Sequence, residues 1–400
     1  MKKIKIPQET LQISPGAHWV GVKDWDRRMF DRLIPLPNGT SYNAYLVQGE
    51  KKTALIDSVN PGFEESLEKK VRKISDPEEI DYFIMNHAEP DHANAISNML
   101  SLSKNGEVLT TGKGKELAHE LHYIEEENIR EVKDGETLNL GEKTLRFIKA
   151  PWLHWPETML TFYEEEGILF PCDFFGSHLA SGKFYDEEIG DEVYNYAKSY
   201  YGEIMMPFNK MVRQALDKIE DLDIEMIAPS HGPIHKNPER IIEHYRKWSE
   251  GEVKEKVLII YISMWGSTEK LVKVLTETIA SENVEIVPVN LATTGLGKIA
   301  GEIVDSAGII IGTPTVLGGS HPKIHHVAYL AKKLNPPTDY LGVVESHGWS
   351  GGAVFQLTDM LGDMDAEVVG SVGVLGSPED EDIRKVINFG KEFANKVKKD

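Results

Sequence analysis

Cysteine is all but missing from this chain, with Cys172 standing alone among 400 residues. A single thiol excludes an intramolecular disulfide framework, a zinc ribbon and any cysteine-ligated iron–sulfur cluster. Long apolar runs are missing too. No stretch of about 18 apolar residues exists, and the start from Met1 to Pro7 lacks the apolar centre of a signal peptide. A soluble, cytoplasmic protein with no membrane association is therefore expected. Positive charge is in deficit, 44 Lys and Arg against 64 Asp and Glu for a formal net charge of −20. That balance argues against nucleic acid or an anionic membrane surface as partner.

What is present is ample hydrophobic material, 40% of the residues, in a chain longer than one core usually spans. Two domains are expected, 1–250 and 251–400. The break falls in the polar stretch 248–256, between an expected helix at 238–247 and an apolar strand at 257–262. Before the break, strand-like runs at 42–47, 53–56, 82–85, 145–148, 159–162, 168–170 and 224–228 alternate with helical patterns. They suggest two sheets sandwiched between helices. After it, runs at 257–262, 284–289, 308–311, 341–345 and 368–372 are each followed by a helical pattern. Five such βα units imply a parallel sheet covered on both faces, with ligands at the carboxyl ends of its strands.

The densest chemistry lies in H-A-E-P-D-H, which holds His87, Glu89, Asp91 and His92. For 14 His and 64 acidic residues in 400, a His-x-acid-x-acid-His window would arise by chance about 0.01 times. It follows an apolar run, so these side chains belong where a buried strand hands over to a helix. Downstream stand His154 in L-H-W-P-E, Asp173 in P-C-D-F-F-G and His231 in S-H-G-P. Alone, each histidine would ordinarily be a hydrogen-bonded core residue, and Asp173 a helix cap or turn residue. Beside the cluster, at the ends of apolar strands, the seven together read as a dinuclear metal site, with Asp173 bridging two cations. Cys172 reads as a buried structural thiol.

In the second half, the first strand runs into Ser263, Met264, Trp265, Gly266, Ser267 and Thr268, followed by an amphipathic helix. Hydroxyl and glycine donors at a helix N-terminus make an anion site sized for one phosphate. It departs from both G-x-G-x-x-G and G-x-x-x-x-G-K-[ST], which favours a monophosphate cofactor over ATP or NAD. Two later strand ends carry Thr313, Pro314, Thr315, Val316, Leu317 and Gly318, then Ser346, His347, Gly348, Trp349, Ser350 and Gly351. Each is turn-rich with a few apolar side chains, as a flat, mostly apolar ring requires. Singly they could be ordinary βα connections; three in phase point to one pocket, with Trp349 the candidate for ring stacking.

These three loops resemble the flavodoxin family, and the seven-residue set resembles the diiron version of the metallo-β-lactamase superfamily. In this order, over essentially all 400 residues, the chain resembles the flavodiiron proteins, or A-type flavoproteins. The stretch from Pro37 to Tyr45 resembles that family as well. The resemblance implies a metallo-β-lactamase-like αββα sandwich followed by a flavodoxin-like, doubly wound, parallel five-stranded sheet, an α/β and α+β combination. It implies FMN on the three loops and two non-haem irons. His87, Glu89 and His154 would serve one iron, Asp91, His92 and His231 the other, and Asp173 would bridge them. No catalytic residue beyond the metal ligands is implied. Hydrolytic zinc members of the superfamily usually carry histidine where this chain has Glu89, and the extra carboxylate hardens the site towards iron. The implied activity is reduction of dioxygen to water, of nitric oxide to nitrous oxide, or both. Implied partners are rubredoxin or another small electron donor and a second copy of the chain, in a head-to-tail homodimer or a dimer of dimers.

The competing expectation is a dinuclear zinc hydrolase with an accessory flavodoxin-like domain, and a further one is an electron carrier whose first half is only a scaffold. Two departures from the family pattern stand out: His235-Lys236 where an aromatic residue and an arginine are expected, and Cys172 before Asp173. Trp155, Tyr201, His178 and Glu157 are expected near the metal site, shaping a gas pocket or relaying protons in one reading and, for most of them, packing against and supporting the ligands in the other.

Overall fold

A computed structural model describes residues 9–398, and the Met1 to Pro7 stretch discussed above lies outside them. Two compact units are formed. The first takes most of the chain up to Arg246; the second takes everything from Lys247 together with Asp31–Pro35 and Lys198–Pro207. A single cut near residue 250 carries no signal for those two excursions.

In the first unit, a seven-stranded sheet runs in the order Leu11–Ser14, Ala17–Trp19, Tyr45–Gln48, Thr53–Ile56, Tyr82–Ile84, Glu107–Thr110, Ile129–Glu131. Its first four strands pair antiparallel and the rest parallel. A five-stranded sheet is built from Thr137–Asn139, Thr144–Lys149, Met159–Tyr163, Ile168–Phe170 and Met226–Ile227. Strand side chains alternate between faces, and the burial follows that rule. Tyr45, Val47, Ala54, Ile56, Ile84 and Leu109 share one core with Leu145, Phe147, Met159 and Phe170 of the second sheet. Their neighbours Leu46, Leu55, Phe83 and Val108 pack instead with Leu67, Val71, Ile96, Met99 and Ala118 from helices. Two cores back to back on one sheet produce the expected αββα layering.

In the second unit, five parallel strands stand in the order Glu285–Asn290, Lys254–Tyr261, Ser306–Val316, Tyr340–His347, Glu367–Leu375. In chain order this is 2-1-3-4-5, the flavodoxin-like winding. Val257, Ile259, Ile310 and Val344 pack with residues of the helices Ser267–Ser281 and Asp380–Val397. Leu258, Ile260, Ile309 and Ile311 are as deeply buried and point to the opposite face, as central strands of a doubly wound sheet must. The third strand runs well past the expected 308–311, because its β-branched end folds back on Gly319–Ser320, pairing Thr315 with Ser320 and Val316 with Gly319. What reads in sequence as a loop from Gly312 is therefore mostly strand, with the turn confined to Leu317 and Gly318, both at positive φ. Ser346 and His347 likewise end the fourth strand rather than open a loop. Among the described residues, no helix is long and apolar enough to cross a membrane.

Candidate metal centre and cofactor pocket

All seven side chains singled out in sequence converge in the first unit, four at one strand-to-helix junction and three in loops that follow or join strands. His87 follows the strand Tyr82–Ile84, Glu89 caps the helix Pro90–Leu102, and Asp91 and His92 occupy its first turn. The helix begins at Pro90, whose fixed φ and missing N–H suit a first helical position. Asp173 follows Ile168–Phe170, His231 follows Met226–Ile227, and His154 lies between Thr144–Lys149 and Met159–Tyr163.

Asp173 organises the geometry. Its Oδ2 lies 3.4 Å from both His87 Nε2 and His154 Nε2, while Oδ1 lies 3.0 Å from His92 Nε2 and 3.4 Å from His231 Nε2. Glu89 Oε2 completes the first group, 3.3 Å from His87 Nε2 and 3.2 Å from His154 Nε2. Asp91 completes the second, with Oδ2 3.3 Å from His231 and Oδ1 3.5 Å from His92. Ligands about 2.1 Å from a metal stand roughly 3.0 to 3.4 Å apart along the edges of an octahedron or tetrahedron, which is the spacing found here. Each group can thus enclose one cation, with one Asp173 oxygen turned to each. Both Asp91 oxygens and both His92 nitrogens are buried without a hydrogen bond. Buried polar atoms of that kind call for a partner, and a cation is the partner this donor set suits. Cys172 Sγ also lies near His92 and Asp173 and is 3.3 Å from Ser230 Oγ; burial holds its thiol well above the ordinary value.

The electrostatics agree. Burial disfavours charged imidazoles, but the surrounding carboxylates outweigh it, raising His87 well above the ordinary histidine value and His92 to about 9. Burial works against Asp173 and Glu89 as carboxylates as well, and the histidines overcome it, lowering both. The cluster balances acids against imidazoles through protons that an entering cation would displace.

A supporting layer fixes which nitrogen each ring presents. Glu157 Oε1 is 2.7 Å from His87 Nδ1 and accepts from Ala88 N at 2.8 Å. Ser41 O is 2.6 Å from His231 Nδ1. Both contacts place the ring proton on Nδ1 and leave Nε2 for a metal. Asn43 Nδ2 donates to the carbonyls of Pro229 and Gly232 at 2.7 and 2.9 Å, pinning the turn that carries His231. Ahead of His87, Asp57 accepts from Asn86 N and Nδ2. Asp57, Thr40, Ser41, Asn43 and Asn86 have no motif of their own; the only sequence signal for Thr40, Ser41 and Asn43 was their place in the Pro37 to Tyr45 stretch.

The other residues expected nearby fare differently. The Trp155 ring stands 5.1 Å from that of His87. His178 lies 5.0 Å from the His231 ring, with Nδ1 3.0 Å from Thr40 Oγ1, and burial followed by the His231 charge holds its pKa well below the ordinary value. Tyr201 belongs to the second unit. His235 is buried with Nε2 3.1 Å from Phe175 O, so this departure has a packing role.

In the second unit, the three loops gather at the carboxyl ends of strands one, three and four. Gly266, at φ +91°, precedes the helix Ser267–Ser281, and its N–H donates to Ser263 Oγ at 3.1 Å. Thr268 Oγ1 lies 2.8 Å from Ser346 Oγ, tying the start of the helix Ser267–Ser281 to the end of the fourth strand. Thr313 Oγ1 accepts from His321 N at 3.0 Å. A Cβ at Gly266, Gly318 or Gly348 would meet nothing within 4 Å, so all three face open space. Trp265, Leu317 and Trp349 are almost fully exposed. Open glycine backbone at strand ends, edged by large exposed apolar side chains, suits a phosphate-bearing planar ring.

Residues 40–232 match the family model described as ODP family beta lactamase. A nitric oxide reductase of Moorella thermoacetica is 34% identical over 97% of this chain and 99% of its own. The rubredoxin oxygen:oxidoreductase of Desulfovibrio gigas superposes with a TM-score of 0.94 at 29% identity, covering 97% of this chain and 98% of that one. The flavodiiron protein of Giardia intestinalis gives 0.93 at 27% identity, covering 99% and 98%. With two cation-sized clusters sharing one carboxylate, a flavodoxin-wound second unit and relatives aligned from end to end, the chain belongs to the flavodiiron proteins, the A-type flavoproteins.

Proposed function

We infer that the protein is an oxidoreductase that reduces dioxygen to water, nitric oxide to nitrous oxide, or both, using FMN and a non-haem diiron site. The observation that carries this is the Asp173 carboxylate, one oxygen turned to His87, His154 and Glu89 and the other to His92, His231 and Asp91. In this reading His87, Glu89 and His154 hold one iron, Asp91, His92 and His231 hold the other, and Asp173 bridges. Three carboxylates among seven ligands favour iron over zinc. When bound, two ferrous ions and a reduced FMN supply four electrons, matching dioxygen to two waters, while two nitric oxide molecules need two. The protein's own contribution is positional. Glu157 and the Ser41 carbonyl hold protons at Nδ1 of His87 and His231, and the buried carboxylates keep the ligand set anionic.

The loops Ser263 to Thr268, Thr313 to Gly318 and Ser346 to Gly351 hold the FMN, the first taking the phosphate and the others the ring. The diiron domain is assigned to 1–250 and the FMN domain to 251–400, apart from Asp31–Pro35 and Lys198–Pro207, which group with the second compact unit. Exposure of Trp265, Leu317 and Trp349 at the pocket mouth supports a head-to-tail homodimer, in which one copy's flavin serves the other's irons, and a dimer of dimers is compatible with it. Electrons come from rubredoxin or another small donor in the cytoplasm.

The test is anaerobic stopped-flow mixing of the fully reduced protein with dioxygen and, separately, with nitric oxide, following flavin absorbance. Rapid reoxidation by either gas, lost in Glu89→Ala and His154→Ala, is expected. Equally slow reoxidation in all three proteins, with zinc as the bound metal, would sink the reading.

A further inference from the structure

Glu345 is buried one residue before Ser346, and no flavin motif contains it. Its carboxylate gathers donors from three places. Oε1 accepts from Thr315 Oγ1 at 2.8 Å and from Gly352 N at 3.2 Å, and Oε2 accepts from Val354 N at 2.6 Å, in the first turn of the helix Ala353–Leu361. His347 Nδ1 lies 3.0 Å from Oε1. The chain crowds onto this group. A Cβ at Gly351 would stand 2.5 Å from Glu345 Oε1, and one at Gly352 would stand 2.2 Å from the Gly318 carbonyl oxygen. Only glycines allow the loop after the fourth strand to lie between the carboxylate and the turn after the third. Thr315 Oγ1 and two backbone N–H groups all turn to the carboxyl, which is the acceptor in each contact.

We propose that Glu345 is a positioning residue of the flavin pocket, which locks the two ring-holding loops together and sets a low flavin potential through its buried negative charge. This rests on the FMN reading above. Reduction adds electron density to the ring, and a fixed anion in a poorly screened setting opposes it. The hydrogen bonds of that anion also hold Thr315 and Gly352 in place, so one group couples loop geometry to redox poise.

The experiment is anaerobic spectroelectrochemical titration of the purified holoprotein, with flavin content counted per chain, for wild type, Glu345→Gln, Glu345→Asp and Thr315→Val. Glu345→Gln removes the charge and is expected to raise the midpoint potential enough to increase the reduced-to-oxidised flavin ratio at fixed ambient potential at least tenfold, about 30 mV for a two-electron couple. Glu345→Asp and Thr315→Val keep the charge and loosen the loops, so they are expected to release FMN more readily with the potential unmoved. A merely structural role would give weaker flavin retention in all three variants and no shift in any. Stoichiometric FMN with an unchanged potential in Glu345→Gln overturns the electrostatic part while the FMN reading stands. Unchanged retention in Glu345→Asp and Thr315→Val overturns the locking part, and that arm holds even if Glu345→Gln does not fold. A wild-type protein carrying no FMN removes the reading and the inference together.

Discussion

Glu203 offers a sharp electrostatic prediction. It sits in the wide-turned helical segment Tyr201–Met205, in the wall of a cavity of about 70 Å³ lined by Leu33, Ile34, Leu296, Ile299, Ile303 and Leu334, all in the second unit. No other residue lining that cavity is charged or polar. Burial alone pushes the carboxyl from 4.5 up to about 8. Because the folded pKa is raised, the neutral acid is tolerated and the ion is not. Stability is therefore full below the unfolded value and falls as pH rises through about 8. At 1.36 kcal/mol per unit, the shift corresponds to a ceiling of about 5 kcal/mol. The residue as a whole keeps some accessible surface, so about 2 to 3 kcal/mol is the expected loss between about pH 5 and pH 9. Glu203→Gln keeps the shape and cannot ionise. In urea unfolding followed by signals from the second unit, it should match wild type near about pH 5 and exceed it by about 2 to 3 kcal/mol near about pH 9. The same difference at both pH values would refute the reasoning, because a packing effect does not depend on protons.

Three further outcomes are expected. Glu157→Ala frees His87 Nδ1 and should weaken metal retention about 10- to 100-fold in competition with a chelator, with the far-ultraviolet circular dichroism spectrum unchanged. Asn43→Ala leaves Trp19 Nε1 without its acceptor and takes one donor each from the carbonyls of Pro229 and Gly232, which keep Tyr45 Oη and Ser41 Oγ. A cost of about 1 to 3 kcal/mol in the urea midpoint should follow, together with faster metal loss as the His231 turn loosens. In Gly202→Ala the new Cβ would lie 2.1 Å from the Ala300 carbonyl oxygen, a backbone atom that cannot swing aside. About 1 to 3 kcal/mol of destabilisation is expected in the second unit, and an unchanged melting temperature would contradict it.

By itself the sequence determined whatever is fixed by short covalent spacing. His87, Glu89, Asp91 and His92 lie within six residues across one strand-to-helix junction, so any fold that buries the preceding strand presents them together. The strand-like run at 53–56 and the five βα units were legible for the same reason, because strand and helix geometry repeat over a few residues. Where local patterning stopped, the reading lost its grip. The third strand outran its expected end because pairing between Thr315 and Ser320 came from a hairpin with no strong apolar signal. Asp31–Pro35 and Lys198–Pro207 joined the second unit although nothing in their composition separates them from the first. Only the tertiary structure decided which oxygen of Asp173 turns to which histidines, that Ser41 supplies a carbonyl to a histidine 190 residues away, and that Glu345 collects Thr315, Gly352 and Val354. Those contacts depend on how strands stack and where their ends meet. Spacing along a chain does not encode that, because residues far apart in sequence meet only once the cores on both faces of each sheet have packed.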